Sequence, residues 1–483
     1  MSIRKKLIGT KDFYKLVLSV AVPIMIQNGI TNFVGLLDNI MVGQVGTEQM
    51  SGVAVANQLL FVFNICVFGA ISGAGIFGAQ FYGCGNYEGV RNAFRFKLWF
   101  CAALVVIGIA VFIGGGESLI SLYLHESSEA GDVARTLSFG YSYLLWMLLG
   151  LLPYALSQTY SSTLRESGET LLPMKAGIAA VLVNLVLNYI LIYGKLGVPA
   201  LGVVGAAIAT VISRYVECLI VVIWTHTHRE KAPYMEGVYR TLKIPSHLIG
   251  QIVIKGLPLM LNETLWSAGM AIMMQCYSMR GLAVIAGLNI SSTISNLFNV
   301  VFLALGNSVA IIIGQLLGAG KMEEAKDTDI KLIFFSVVSC IGIGAVMAVI
   351  APLFPRMYNT TDEVRRLAEQ FIWISALVMP IQAFMHACYF TLRSGGKTFI
   401  TFLFDSTFMW VVSIPLAFLM SRFSTVPIVP LYLICQLADI IKCVIGFVLV
   451  KKESGFRILW SEAFPAWTGN CYTVAETKGN EFR

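Results

Sequence analysis

The sequence predicts an all-α polytopic membrane protein, twelve transmembrane helices arranged as two six-helix lobes, and three observations predict it. Of the 483 residues, 57% are hydrophobic and 13% charged, where an ordinary soluble domain carries about 25% charged residues. Apolar runs such as LWFCAALVVIGIAVFIGG recur along the whole chain. Each is long enough to cross a hydrocarbon core of about 30 Å at about 1.5 Å per residue. Lysine and arginine, finally, are concentrated in every second connection between the runs, as the positive-inside rule requires. No stretch alternates apolar and polar residues over about ten positions, which argues against a barrel.

The runs fall at about 16–41, 52–80, 93–115, 134–157, 171–193 and 200–224, then at 251–277, 283–316, 331–354, 367–390, 398–420 and 427–450. They are numbered helices 1 to 12 in chain order. The segment 1–15, MSIRKKLIGTKDFYK, is basic but enters a full-length helix without a small-residue cleavage site. It reads as a retained cytoplasmic segment rather than a signal peptide. With that segment inside, the inner loops, tails and their helix flanks hold 25 of the 34 Lys/Arg and the outer ones 7, and Arg214 and Lys442 fall within spans. Both termini are therefore expected in the cytoplasm of a plasma membrane. The net charge of +7 is explained by topology, so no nucleic-acid partner is implied. The segment 225–250, THTHREKAPYMEGVYRTLKIPSHLIG, is the longest inner connection. It is expected to link an N-terminal lobe, 16–224, to a C-terminal lobe, 251–450, with 451–483 as a cytoplasmic tail. The ten cysteines lie mostly in spans with no C-x-x-C pair, which argues against a disulfide frame or a zinc site.

The two lobes repeat. A shift of 235 residues lays Pro23 on Pro258, Gly52 on Gly287, Phe63 and Asn64 on Phe298 and Asn299, and Gln80 on Gln315; Gly83, Gly85 and Glu88 fall on Gly318, Gly320 and Glu323. A second register, 228 residues, lays TLRESGET (163–170) on TLRSGGKT (391–398). Two matches in the same order at corresponding helix ends predict a duplicated six-helix unit. Because six is even, both copies enter from the same side, which gives a pseudo-twofold axis along the membrane normal, a plan used by secondary transporters.

Several of these segments together resemble the multidrug and toxic compound extrusion (MATE) family. They are GAQFYGCGNYEGVRNA, IGQLLGAGKMEEAKD, the LRxSGxT-like pair, DNIMVG in helix 1, VNLVLNYILIYG in helix 5 and LGVVGAAIATVISR in helix 6. The resemblance covers about 15 to 450. It implies two pseudo-twofold-related lobes forming a V-shaped cavity, and a cation-driven antiporter of the bacterial type, expected to act as a monomer in the lipid bilayer on small-molecule substrates.

Asp38 stands among leucine, isoleucine and methionine in helix 1, where a charge costs roughly 3 kcal/mol at a helix centre. Helix 5 carries Asn184 and Asn188 on one face, spaced i, i+4, and helix 6 reaches Thr210 at a similar depth. One carboxylate, two amide oxygens and a hydroxyl form a set able to hold a sodium ion or to solvate a carboxylate that takes up a proton. By the resemblance, Asp38 occupies the family's helix-1 acid and Asn184 and Asn188 its helix-5 polar pair, although some members have a second carboxylate where this chain has Asn188. In the C-terminal lobe Glu263, His386 and Asp405 lie seven or eight residues from inner-flank basic residues, hence about 10–12 Å into the membrane at a shared depth. Carboxylates with a histidine at one depth suit a proton relay. One branch of the family places acids in helices 7 and 10; Glu263 resembles the first approximately, while the helix-10 position is Met379, for which Asp405 is expected to compensate. Arg214 and Glu217, spaced i, i+3, are expected to neutralise one another. The Gly-rich stretch FGAISGAGIFGAQFYGCG lacks a strand before it and a P-loop lysine, so it reads as close helix packing. Tyr141, Trp146, Trp266 and Met270, with Gln27, Asn28, Asn64 and Asn299, are the expected lining of a cavity for amphipathic organic cations.

The expectation is thus a secondary active antiporter that exports amphipathic or cationic compounds while sodium or protons enter, with no cofactor beyond the coupling ion. The alternative within the same superfamily is a flippase for lipid-linked precursors, which would favour several cavity arginines where only Arg214 lies at depth. A receptor or channel would call for a sensory domain or an ion pore, and no soluble segment exceeds about thirty residues. The absence of H-E-x-x-H, G-x-S-x-G and a cysteine–histidine pair argues against an enzyme.

Overall fold

The computed structural model describes residues 7–122, 130–358, 360–452 and 456–459; the start of the 1–15 segment, part of the second outer connection and most of the 451–483 tail lie outside the described residues. Twelve long helical segments follow one another: α1 Lys11–Gly43, α2 Thr47–Gly83, α3 Tyr87–Ser121, α4 in two pieces, Ala130–Leu148 and Leu151–Glu166, α5 Leu171–Tyr193, α6 Gly202–Thr227, α7 Ser246–Ser278, α8 Leu282–Gly318, α9 Met322–Ile350, α10 Asp362–Ser394, α11 Thr398–Phe423 and α12 Ile428–Lys451. In hydrocarbon every backbone N–H and C=O needs an internal partner, which is why apolar runs of this length fold as helices. Ten of them are long and apolar enough to cross a membrane singly, and α4 joins them when its two pieces, bent by 52°, count as one span. α7 is less apolar because Asn262, Glu263 and Gln275 interrupt it.

The duplication is visible in the backbone. Shifted by 235 positions, α1 and α2 end where α7 and α8 end, at Lys11/Ser246, Gly43/Ser278, Thr47/Leu282 and Gly83/Gly318, and Pro23 and Pro258 sit at the same place inside α1 and α7. The turns agree as well. After α2, Gly85 (φ +74) donates to Tyr82 O while Asn86 donates to Phe81 O. After α8, Gly320 (φ +73) donates to Leu317 O and Lys321 to Leu316 O. The same paired bonds close α4 at Gly168 and α10 at Gly396. This is the Schellman termination, whose left-handed residue is almost always glycine because any Cβ there is strained. Both sequence registers therefore pair identical turn geometry.

The described residues pack as two compact units, one drawn from 26–78 and 87–249, the other from 1–25, 79–86 and 250 onward. This division differs from the expected boundaries at 16, 224 and 251 in three places. Nearly half of α1, up to Met25, belongs with the C-terminal unit, where Val17 and Ala21 share a core with Leu305, Val309 and Ile312 and Val20 and Ile24 with Ala304 and Ile311. The end of α2 does so too: a Cβ on Gly83 would overlap the main-chain oxygen of Gln315, and one on Gly318 that of Gln80. These contacts exchange under the 235 shift, and they give the Gly-rich stretch its packing role. Third, most of the segment expected as a linker is built into the N-terminal unit. Ala232, Tyr234, Met235 and Val238 are buried, and α3 ties them down through Arg91 Nε donating to Tyr234 O (3.2 Å) and Arg95 Nε to Val238 O (2.8 Å).

Candidate functional site

In the N-terminal unit α1, α5 and α6 converge on Asp38. Tyr193, at the end of α5, donates to Met41 O at 3.1 Å and holds α5 against α1. Gly205 lets α6 approach the main chain of Leu191, where a Cβ would come within 2.7 Å of the carbonyl. These close approaches bring the four predicted residues together. Asn188 Nδ2 donates to Asp38 Oδ1 at 2.6 Å and lies 3.1 Å from Asn184 Oδ1; Asn184 Nδ2 in turn reaches the Thr210 hydroxyl at 3.3 Å. The Asn184 amide fits two ways. Turned over, its nitrogen donates to Asp38 Oδ1 and Oδ2 at 3.0 and 3.2 Å and its oxygen accepts from Thr210. Unturned, its oxygen faces the carboxylate, an arrangement that needs a proton or a cation between them. Among the described residues the buried Asn188 Oδ1 has no hydrogen-bond partner. Among the described residues no ion pair includes Asp38. Sequence reasoning missed Tyr143, buried in the same helix cluster, which donates to Asn57 Oδ1 at 3.3 Å.

In the C-terminal unit α7, α10, α11 and α12 build a larger polar cluster. Tyr389 donates to Glu263 Oε1 (3.4 Å) and stands 3.4 Å from Asn262 Nδ2, which donates to Asp405 Oδ2 at 3.1 Å. Lys442 Nζ lies 3.2 Å from Asp405 Oδ1 and 3.6 Å from Asp439 Oδ1, and Gln382 donates to Asp439 Oδ2 at 2.9 Å. The backbone is irregular at this level. α11 is π-helical over Leu403–Thr407 and Met409–Ser413, and α12 breaks between Leu437 and Asp439. Asn262 Oδ1 takes the N–H of Ser406 at 3.2 Å, and its position beside the π-turn shows how such a turn is tolerated at membrane depth.

Glu263 and Asp405 are thus joined through Tyr389 and Asn262, but His386 is not a member of the chain between them. Its Nδ1 meets Gln382 O, one turn back on its own helix, at 2.9 Å, and its ring packs on Phe302. Arg214 and Glu217 attract one another as expected, but among the described residues they form no close ion pair; Arg214 instead donates to Gly150 O at 3.3 Å and lies over the Tyr154 ring. Of the expected cavity lining, Gln27 is engaged by Arg165 Nη2 at 2.7 Å. Asn64 Oδ1 is buried without a partner among the described residues, Asn28 and Asn299 are half-buried, and Tyr141 packs on the N-terminal core. Trp146, Trp266 and Met270 are 42, 39 and 48% exposed. Lys442, Asp439, Asn262 and Tyr389 were missed. The readable signal was the i, i+3 spacing of Asp439 and Lys442.

The MatE family model matches residues 23–190 and 258–419, one copy in each half. Among curated relatives, a probable multidrug resistance protein NorM of Thermotoga maritima is 23% identical over 89% of this chain and 90% of its own. One of Oceanobacillus iheyensis is 26% identical over 86 and 91%, and the multidrug resistance protein MdtK of Edwardsiella ictaluri 24% over 84% of this chain and 87% of its own. Among solved structures, a multidrug resistance MATE family transporter of the MOP superfamily in an outward-facing conformation superposes with a TM-score of 0.81 at 18% identity over 94% of this chain and 98% of that one. A mutant of the Vibrio cholerae MATE transporter VcmN gives 0.80 at 19% over 92 and 97%. With a helix pattern, a repeat and a family match that agree from Pro23 to Leu419, the chain belongs to the MatE family.

Proposed function

We propose that this chain is a secondary active antiporter that exports amphipathic, cationic small molecules while sodium ions or protons enter, and that Asp38 takes the ion. The observation that carries the reading is the state of the Asp38 site. A membrane-embedded carboxylate without a Lys or Arg partner among the described residues meets the amides of Asn188 and Asn184, with the Thr210 hydroxyl behind Asn184, and beside it the buried Asn188 Oδ1 has nothing to accept among those residues. A small cation or a proton supplies what that set lacks. The multidrug resistance names of the NorM and MdtK relatives support an exporter of drug-like compounds. The alternative, a lipid-precursor flippase, is disfavoured by the commitment of Arg165 to Gln27 and of Arg214 to Gly150 and Tyr154. The positive-inside pattern supports a plasma-membrane orientation with both termini cytoplasmic.

The test is efflux of a fluorescent cationic dye from proteoliposomes, driven separately by a sodium gradient and by a pH gradient. Wild-type protein should respond to at least one, and Asp38→Asn should fall to the level of protein-free liposomes while still purifying as a folded protein. Efflux at the wild-type rate by folded Asp38→Asn would remove Asp38 from the mechanism.

A further inference from the structure

We infer that Lys442 is a tethered counter-ion. Its ammonium fills, in the C-terminal half, the place that a mobile monovalent cation would otherwise take, and so confines ion coupling to Asp38. The inference rests on the antiporter reading above for the word coupling, but its geometry stands apart from it. The Lys442 side chain is 4% exposed and its Nζ sits between one oxygen of Asp405 and one of Asp439. The second oxygen of each acid is already taken by an amide donor, Asn262 at 3.1 Å and Gln382 at 2.9 Å. The Phe408 ring lies beneath the ammonium, 5.2 Å from its centroid, a further favourable contact for a cation. Two carboxylates, two orienting amides and one aromatic face therefore make a complete cation site whose occupant is covalently attached.

The internal repeat shows what this arrangement replaces. The 228 register lays Lys442 on Arg214, Asp405 on Gly177 and Asp439 on Val211, while the 235 register lays Asn262 on Gln27 and Glu263 on Asn28. The backbone relation is preserved: Gly177 packs against Gln27, where a Cβ would lie 3.1 Å from the amide, as Asp405 meets Asn262. Both halves hold one cation at the same register. In the N-terminal half the positions matching the two acids are Gly177 and Val211, and Arg214 turns to a carbonyl and a tyrosine ring; Asp38 is left without a counter-ion among the described residues. In the C-terminal half acids stand at 405 and 439, and the cation is bound by them. Glu263, held by Tyr389, and His386, one turn from Gln382, flank the cluster without bonding to Lys442 among the described residues. A largely buried carboxylate pair, 17 and 16% exposed, is costly once stripped of its ammonium, and recruiting a cation from solution is the direct way to restore balance.

The experiment counts bound sodium with a radioactive tracer on purified protein in detergent, in a sodium-free choline background. Wild type should bind one sodium that is lost in Asp38→Asn. Lys442→Ala should gain a site, and Asp38→Asn/Lys442→Ala should keep that gained site. If Lys442→Ala does not purify as a folded protein, Asp439→Asn/Lys442→Ala relieves the like-charge repulsion and should still bind one sodium more than wild type. Should wild type bind no sodium while the Lys442 variants do, the inference holds and only the sodium form of the antiporter reading fails. Sodium retained in Asp38→Asn and lost in Asp405→Asn would overturn it. So would folded Lys442 variants that bind no more sodium than wild type.

Discussion

Glu166→Gln should destabilise the protein by about 3 kcal/mol or more, and adding Lys97→Met should recover most of that loss. Lys97 is wholly buried in α3, with its Nζ 2.6 and 2.7 Å from the two oxygens of Glu166, 2.8 Å from Ser162 Oγ and 3.1 Å from Thr163 Oγ1. Ser162 also donates to Glu166 Oε1 at 2.7 Å, and Gly75 and Gly78 of α2 leave room for the carboxylate, which any Cβ there would strike. Neutralising one partner leaves an ammonium facing dipoles only, and breaking a buried pair costs about 3–5 kcal/mol. Removing both charges leaves neither to desolvate and is commonly close to neutral. The readouts are thermal unfolding in detergent and the yield of folded protein from the membrane, for wild type, both single variants and the double. A single variant within about 1 kcal/mol of wild type, or a double variant as unstable as the singles, would refute the claim that the pair acts as one unit.

Two further outcomes are expected. If proton and sodium compete for Asp38, apparent sodium affinity should fall by about tenfold per pH unit once protonation dominates, and Asn188→Ala should weaken sodium binding at every pH; titration calorimetry from about pH 5 to 8 checks both, and a sodium response independent of pH would exclude a shared site. Gly83→Ala and Gly318→Ala should each lower stability by about 1–3 kcal/mol through overpacking of α2 against α8, by similar amounts because the two contacts are repeat-related; a thermal shift confined to one of them would mean that the crossing is not symmetric.

How much of this was legible depended on whether a feature is carried by local pattern or by contact across the fold. The spans were legible because lipid leaves the backbone no alternative to helices, and the repeat because Gly85/Gly320 and Gly168/Gly396 must be glycine for their turns to close. Asp38, Asn184, Asn188 and Thr210 were legible as a group: helix periodicity fixes the face of Asn184 and Asn188, and a short hairpin from α5 into α6 brings Thr210 to their level. The ammonium answering Asp405 was not, since it comes from the next helix at a break that no capping signal announces. Nor was the course of His386, because the choice between a main-chain carbonyl one turn away and an acid on another helix depends on rotamer and packing. The buried 232–238 strap looked like a linker because polar residues dominate its surroundings, yet its few apolar side chains are the ones that dock.

The reason an acid survives at position 38 emerges from counting donors. An ionised carboxylate offers about four acceptor positions. Asn188 fills one, and Asn184 fills others only with its nitrogen turned toward Asp38. In that orientation Asn188 Oδ1 still accepts nothing among the described residues, so the empty, ionised site carries a buried, unmet acceptor. A sodium ion reverses the requirement. It binds oxygens, so Asn184 would present its oxygen, Asn188 Oδ1 would gain a ligand role, and the carboxylate charge would be balanced. A proton achieves the neutralisation with a single bond from Asp38 to Asn184 Oδ1. On the proposed reading, either occupant would favour the arrangement of α1, α5 and α6 that brings Asn184 and Asn188 to Asp38. A cargo that favours the opposite arrangement is therefore antagonistic to the ion by reciprocity. On the antiporter reading proposed above, Asp38 is tolerated because the cost of leaving it bare is the free-energy difference by which ion and cargo would be made to exchange.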